Sequence, residues 1–580
     1  MAAVRALRLP RVVLLPVTAP RRLAPRSMTT TAASASSSAI KEAYDELAAG
    51  LREQSSLEGV MGIIGWDELT FMPPGAADVR AAQKSALAGV LHDTATTPRR
   101  GELLAALADV CDLAAAGLAP GQVATVREAT RAYHKKAAVP RELAQRRAAL
   151  ESSAYSAWVA ARGADEGRGR WSDFAPSLRA WIDIIREQAA LTHPGIPDVY
   201  DAALDDYEKG ATAARMDALF AELKRGLIPI LDEIKARRAA RDAAAGGPVD
   251  DGAPLRVAID VGAQARLCRA VAIDLGFDLE AGRLDVSVHP FTGGCAGDCR
   301  MTTRYKPNDF TEGLTGTVHE TGHSLYEQGR NPDALWSGLP VADPLSMGIH
   351  ESQSLIWERS VALSRPFAVY LSNKLSSFGD QPGDGAEPGD REALRPLAAL
   401  SAEDIYRGMN EVRRESFVRV EADEVQYSLH VILRYEIERD LLAGNLDAAD
   451  VPAVWNRKME EALGVVVPND AAGCLQDVHW SAGAVGYFPT YVVGAVAAAQ
   501  LHEAAAAALP SLDADVAAGN FGPLRTWLRE AVHHRGSLPA SGDELLELVT
   551  GRPLDAACFL RYLRHKYLDA DDAIFPAAPL

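Results

Sequence analysis

The strongest limit on the fold is a spacing of apolar residues at three and four positions that runs from Ile40 almost to the C-terminus, the signature of stacked amphipathic helices. Segments rich in Ala, Leu, Glu and Arg carry it, among them Ala77–His92, Arg141–Ala161, Trp171–Leu191, Thr212–Ala240 and Ile405–Glu415, with Gly and Pro between them. Alternating patterns are few. The best are Arg283–His289, where Leu284, Val286 and Val288 alternate, and Met301–Tyr305, with two adjacent threonines. The pattern predicts a mainly α protein with one small sheet. Ala243–Pro254 and Phe378–Asp390, rich in Gly, Asp and Pro or Ala, read as surface loops. Ser481–Leu501 lacks any charged residue, but Pro489, its glycines and Gln500 suit a buried core element better than a lipid-facing helix.

Composition narrows the classes. A chain of 580 residues with 48% apolar and 24% charged residues has ample material for a core, in several domains or one large composite fold. Its 60 Lys and Arg against 78 Asp and Glu leave a charge of -18, which repels phosphate backbones, so a nucleic-acid binder is not expected, nor is a membrane protein. Six cysteines without C-x-x-C spacing exclude a disulfide-built fold or a zinc ribbon and fit a reducing compartment. Nucleotide chemistry has no support, because neither a P-loop nor a G-x-G-x-x-G after a strand is present.

Residues 1–40 differ from the rest. They hold six arginines (Arg5, Arg8, Arg11, Arg21, Arg22 and Arg26), a Ser/Thr/Ala tail from Ser27 to Ser38, and no acid before Glu42. That is the composition of an organelle transit peptide, for a chloroplast or mitochondrion, with the working domain at 41–580. Met28 offers a start for a shorter cytoplasmic form. Removing the leader takes the charge from -18 to -24.

The chemistry is concentrated in Thr317-Val318-His319-Glu320-Thr321-Gly322-His323-Ser324-Leu325. Histidines four apart lie one helical turn from each other on one face and can share a zinc, while the adjacent glutamate is left to hold the attacking water. Chance gives about 0.04 such His-acid-x-x-His patterns for this composition, so the motif carries weight. A catalytic zinc needs a third protein ligand and an open fourth position. Tyr326 and Gly329 stand where metzincin spacing requires Gly and His, which excludes that class. Glu327 is one turn too far along the same helix to share the metal of His319, and Asp333 and Asp343 adjoin prolines in turn-like sequence. Glu351 begins a second helical run that Pro366 interrupts, and is the first choice for a His2Glu site; Glu358, two turns on, is the second.

With these residues in view, the chain resembles the carboxypeptidase Taq family of thermostable zinc metallocarboxypeptidases from about Tyr44 to Tyr567. Seven motifs occur in the family's order: Trp66-Asp67-Glu68-Leu69-Thr70-Phe71-Met72-Pro73, His289-Pro290-Phe291, Asp298-Cys299-Arg300-Met301-Thr302, His319 to His323, His350-Glu351-Ser352, Val418-Arg419-Val420-Glu421-Ala422-Asp423 and Gly473 to Trp480. The resemblance implies a large helical zinc-peptidase fold with a deep substrate groove and a small sheet beside the metal, commonly a homodimer. It also implies release of single residues from peptides with a free C-terminus, with one Zn2+ per chain, which Co2+ or Mn2+ can replace. Glu320 is the expected base. A cation must hold the terminal carboxylate, and Arg419 is the first candidate and Arg300 the second; the alternative for each is an ion pair, with Asp423 and Asp298 respectively. His479, with Tyr487 and Tyr491, is similar to the oxyanion-binding His/Tyr segment of helical zinc peptidases, and either tyrosine can be the donor. His289 either lines the site wall, stands behind the ligands or packs in the core. Cys295, Cys299 and Cys474 are expected to be inert, and His533-His534 a surface pair. A zinc dipeptidyl carboxypeptidase or oligopeptidase is the alternative enzyme. An inactive peptide-binding zinc scaffold is the alternative of another class, disfavoured because a structural zinc would have a fourth protein ligand.

Overall fold

The structure, a computed structural model, describes residues 37–110, 112–330, 335–380, 385–570 and 572–576. Most of the expected leader, residues 1–36, lies outside the described residues, as do Asp333 and Cys111. Ser37–Ile40, the end of the expected leader, form the first turn of helix α1 (Ser37–Thr70), and Ile40 is buried. The rest is mainly helical, as the spacing predicts. The helices over Ala77–Ala95, Arg141–Gly167, Ala175–Thr192 and Ala213–Ala245 overlie predicted segments, the last running past the start of the expected 243–254 loop. The predicted helix Ile405–Glu415 is misplaced: it spans Ala402–Met409. Ser401 and Asp404 form a capping box at its start, and buried Asn410 ends it by donating Nδ2 to the Tyr406 carbonyl at 2.8 Å. No described helix is long and apolar enough to cross a membrane. The uncharged Ser481–Leu501 stretch leads into a mostly buried helix, Pro489–Ala508.

The sheet has strands β1 (Gly282–Val286), β2 (Phe291–Cys295) and β3 (Asp298–Thr303), ordered β1-β3-β2, with β1 parallel and β2 antiparallel to β3. The pattern predicted β1 and β3 but missed β2, whose Gly293-Gly294 pair hides any alternation. One large core runs from Leu143 to Phe575, and a satellite core joins α1 to the helices Pro98–Ala108 and Pro120–Ala138.

Three helices meet where the chemistry was expected: α2 (Phe310–Gly329), α3 (Met347–Leu355) and, after the long helix α4 (Glu424–Ala443), α5 (Pro489–Ala508). Helices α2, α3 and α4 each begin on a side-chain cap, from Asp309, Ser346 and Asp423 respectively. Buried Glu208 also accepts the Gly348 N–H in the first turn of α3. The helices approach so closely that two positions exclude any side chain. A Cβ on Gly322 of α2 would sit 2.6 Å from both the Gln353 carbonyl oxygen and the Ser354 Cα of α3. One on Gly494 of α5 would sit 2.6 Å from Glu351 Cγ. Gly322→Ala should therefore destabilise the fold by about 1–3 kcal/mol, because backbone cannot move aside as a flexible side chain can. Gly89→Ala, in open space on the helix Ala77–Ala95, should stabilise it by up to about 1 kcal/mol. Thermal unfolding of the two variants checks both signs.

Candidate metal centre

His319 and His323 stand on α2 and Glu351 on α3, and one ligand atom from each lies within 4.8 Å of the others. Glu351 Oε2 is 3.8 Å from His319 Nε2 and 3.4 Å from His323 Nε2. Burial alone would raise the Glu351 carboxyl, but His319, His323 and Arg359 outweigh it and hold it down at about 2. The third donor is thus ionised.

The far side of each imidazole is already engaged. His319 Nδ1 meets Glu358 Oε2 at 2.7 Å, and His323 Nδ1 meets His350 Nδ1 at 2.6 Å. His350 Nε2 in turn meets Glu327 Oε1 at 2.9 Å, and Arg330 Nε donates to the other Glu327 oxygen at 3.1 Å. Burial would raise Glu327, but His350 and Arg330 outweigh it and hold it at about 2, so this carboxylate accepts. His350 therefore donates from Nε2 and accepts at Nδ1, which leaves the His323 proton on Nδ1. His323 then presents an Nε2 lone pair toward Glu351. Burial would lower His319, but Glu351 and Glu358 outweigh it and raise the imidazole to about 10, so its Nε2 carries a proton that a metal would displace. Two imidazole nitrogens and one carboxylate, each oriented from behind, fit a divalent metal.

Glu358, the second choice as ligand, is thus the acceptor behind His319. The sequence reading set Glu327 aside as a ligand, and the structure places it two bonds behind His323. Neither this use of Glu327 nor the role of His350 was anticipated. The signal was present in Glu327, four positions after His323 on the same helix face.

Glu320 is buried beside the metal ligands, and its Oε2 accepts from Thr292 Oγ1 of β2 at 2.6 Å. The sheet therefore holds the candidate base. His289 does not join the ligand network: it is exposed, and no hydrogen bond links its ring to the ligands among the described residues.

A second cluster surrounds Asp477. Its Oδ1 accepts from Arg419 Nε at 3.0 Å and Nη2 at 2.7 Å, and its Oδ2 accepts from Arg434 Nε at 2.6 Å. Burial disfavours this charge, yet the two guanidiniums outweigh it and keep the carboxyl well below its usual range. Asp423, the expected partner of Arg419, instead caps α4 by accepting from Val425 and Gln426 N–H. Arg300 does pair with Asp298, at 2.9 and 2.6 Å, and its Cζ lies 4.9 Å from the Trp66 ring centre, apart from the Asp477 cluster. Tyr427, not singled out in the sequence, accepts from Arg419 Nη1 at 2.9 Å. Tyr491 Oη lies 3.1 Å from His479 Nε2, and the Tyr487 and Tyr491 rings are 5.3 Å apart. Burial pushes His479 down to about 4, opposed by Asp477 and helped by Arg419 and Arg434, so the imidazole is neutral near pH 7. Burial raises Tyr487 to about 12 and Tyr491 well above its ordinary value, so both phenols keep their protons.

Cys299 and Cys474 are buried and Cys295 is partly so, and burial raises all three thiols, consistent with inert cysteines. His533 is not a surface residue. It is 1% exposed, packs 5.3 Å from the Tyr326 ring, and its Nε2 meets Gln353 Oε1 at 3.0 Å. The last turn of α2 covers it, which adjacent histidines in sequence do not reveal.

Residues 46–567 match the family described as carboxypeptidase Taq (M32) metallopeptidase. The chain is 39% identical over 534 residues to thermostable carboxypeptidase 1 of Thermus thermophilus, covering 90% of this chain and 98% of the relative. Among solved structures it is similar to metallocarboxypeptidase 1 of Trypanosoma cruzi, with a TM-score of 0.81 at 33% identity over 90% of this chain and 99% of that one. The M32 carboxypeptidase of Deinococcus radiodurans gives a TM-score of 0.80 at 36% identity over 90% and 98%.

The hydrogen bonds behind the ligands make a measurable difference. Glu358→Ala and His350→Ala, which leave all three ligands in place, should each weaken metal binding about 10- to 100-fold. Competition with a chelator of known affinity reads the change.

Proposed function

As the chain belongs to the carboxypeptidase Taq (M32) family of metallocarboxypeptidases, we propose that it is zinc-dependent and releases single amino acids from the free C-terminus of peptides. The observation that carries this reading is the pairing of an open His319, His323 and Glu351 donor set with a buried base, Glu320, one residue from a ligand. A bound zinc would lower the pKa of its water to about 7 and polarise the scissile carbonyl. Glu320, oriented by Thr292, takes a proton from the attacking water and returns it to the leaving nitrogen. The protonated phenols of Tyr487 and Tyr491, with neutral His479 behind Tyr491, are donors for the developing oxyanion.

Arg419 is assigned the terminal carboxylate. Of its five guanidinium N–H groups, Asp477 and Tyr427 take three, which leaves one on each Nη for a bidentate contact. Arg300 is the second candidate, with less support because Asp298 engages it in a separate place. We assign His289 no direct contact with the reacting groups. A homodimer is proposed on the resemblance alone. The arginine-rich leader and a family match that begins only at residue 46 support import into an organelle with removal of the leader.

A mixed peptide pool tests the reaction. Mass spectrometry should show ladders shortened by one residue at a time from the C-terminus, abolished by a chelator; loss of residue pairs or internal cuts would point to the dipeptidyl or oligopeptidase alternative. Glu320→Gln should retain the metal and lose about 10²–10⁴-fold in kcat. Arg419→Ala should lose about thirty- to a thousandfold in kcat/KM on free-acid peptides and little more on amidated ones, which already lack the partner. Equal loss on both would make Arg419 a structural partner of Asp477. N-terminal sequencing of the native protein should find a start between about Ser27 and Lys41; a start at Met1 would remove the transit reading.

A further inference from the structure

Behind the metal centre a cavity of about 560 Å³ begins at Glu358 and follows the N-terminal half of α2, past Thr315 and Thr311, to the Val420–Glu424 segment. One guanidinium in its wall makes no close ion pair among the described residues. Arg359 is 8% exposed, its buried Nη1 has no hydrogen-bond partner, and no carboxylate lies within ion-pair distance of it among the described residues, although Glu358, Glu424 and Glu351 act on its charge from farther away. The neighbouring acids are committed elsewhere: Glu358 accepts from His319, and Glu424 accepts from Lys566 and Tyr567. The other cations do not compete for an anion in the same way. Glu312 engages Arg304 and Lys306, Glu411 engages Arg256, and Arg413 is exposed.

A buried guanidinium N–H without an acceptor is costly, so a site that keeps one is suited to an acceptor that arrives with a ligand. The local backbone is also unusual. Glu358 and Arg359 lie on a π-helical turn, Ile356–Ala362, a form that is rare and often found at functional sites. On this turn one residue supports His319 and the next lines the cavity.

Arg359 also shares a tyrosine with the proposed carboxylate anchor. Its Cζ lies 4.8 Å from the Tyr427 ring centre and that of Arg419 lies 5.6 Å from it, so the two guanidiniums are within about 10 Å of each other, a span that one amino acid with two carboxylates can bridge. We propose that Arg359 binds the acidic side chain of the peptide's C-terminal residue, giving the enzyme a preference for chains that end in Glu or Asp. The proposal rests on the carboxypeptidase reading of the site.

Two peptides that differ only in ending with Glu or Gln test it. Metal-loaded wild type should favour the Glu peptide at least about tenfold in kcat/KM. Arg359→Met should lose about ten- to a hundredfold on the Glu peptide and no more than about threefold on the Gln peptide, with Arg359→Lys recovering part of the loss. Metal content is measured for each variant, so that a disturbed Glu358 is recognised. Calorimetric titration with the products L-glutamate and L-glutamine gives a readout free of turnover, and wild type should bind glutamate more tightly. Wild-type rates and affinities that are equal, or that favour glutamine, overturn the assignment whether or not the variants fold, and so does an equal loss on both peptides. If no peptide loses its C-terminal residue while glutamate still binds more tightly than glutamine through Arg359, the anion site stands and the carboxypeptidase reading falls.

Discussion

The contact of α2 with α3 at Gly322 is the constraint on which the site depends. Two histidines one turn apart on a single helix supply two donors and no more. The third comes from a separate helix, and it reaches them because backbone meets backbone where a methyl group would collide with Gln353 and Ser354. Helix α5 approaches from the other side of Glu351 at Gly494, so the carboxylate is confined between two helices. Glu358 and the His350–Glu327–Arg330 chain then set the proton on each imidazole. Because these partners lie on different elements, a metal that binds only the folded arrangement also stabilises it, by mass action.

The Asp477 cluster works by a different physical rule. One buried carboxylate holds two guanidiniums, and removal of one member of such a group strands a charge at a cost of about 3–5 kcal/mol. That arrangement locks the segment carrying His479 to the one carrying Arg419 and to α4, which bears Arg434 and Tyr427. The proposed carboxylate anchor is therefore also a member of a structural ion cluster. The contrast with Arg359 is informative, since a guanidinium so close by has been left without a carboxylate.

How much of this could be read from the residues depends on the range of each interaction. His319, Glu320 and His323 were legible because their geometry is set within one helical turn. Glu351 was legible because few acids downstream begin a second helix, although only the fold shows that Glu358 stands behind His319 and is not the closer ligand. Arg419 was singled out in the sequence, but its ion-pair partner was not. Asp423 is near in sequence and is used as a helix cap, whereas Asp477 is brought in from 58 positions away. The buried state of His533 and the existence of β2 likewise depend on neighbours that no local pattern names. Arg359 gave no sequence signal, because an unpaired cation is recognisable only once every nearby acid has been accounted for.

Calorimetric titration of zinc into metal-free protein tests whether His319, His323 and Glu351, from two helices, form one metal site. One zinc is expected per wild-type chain, and for Glu351→Gln an affinity lower by at least about 10- to 100-fold with the fold retained. Unchanged stoichiometry and affinity in Glu351→Gln would contradict it and transfer the third ligand to another carboxylate.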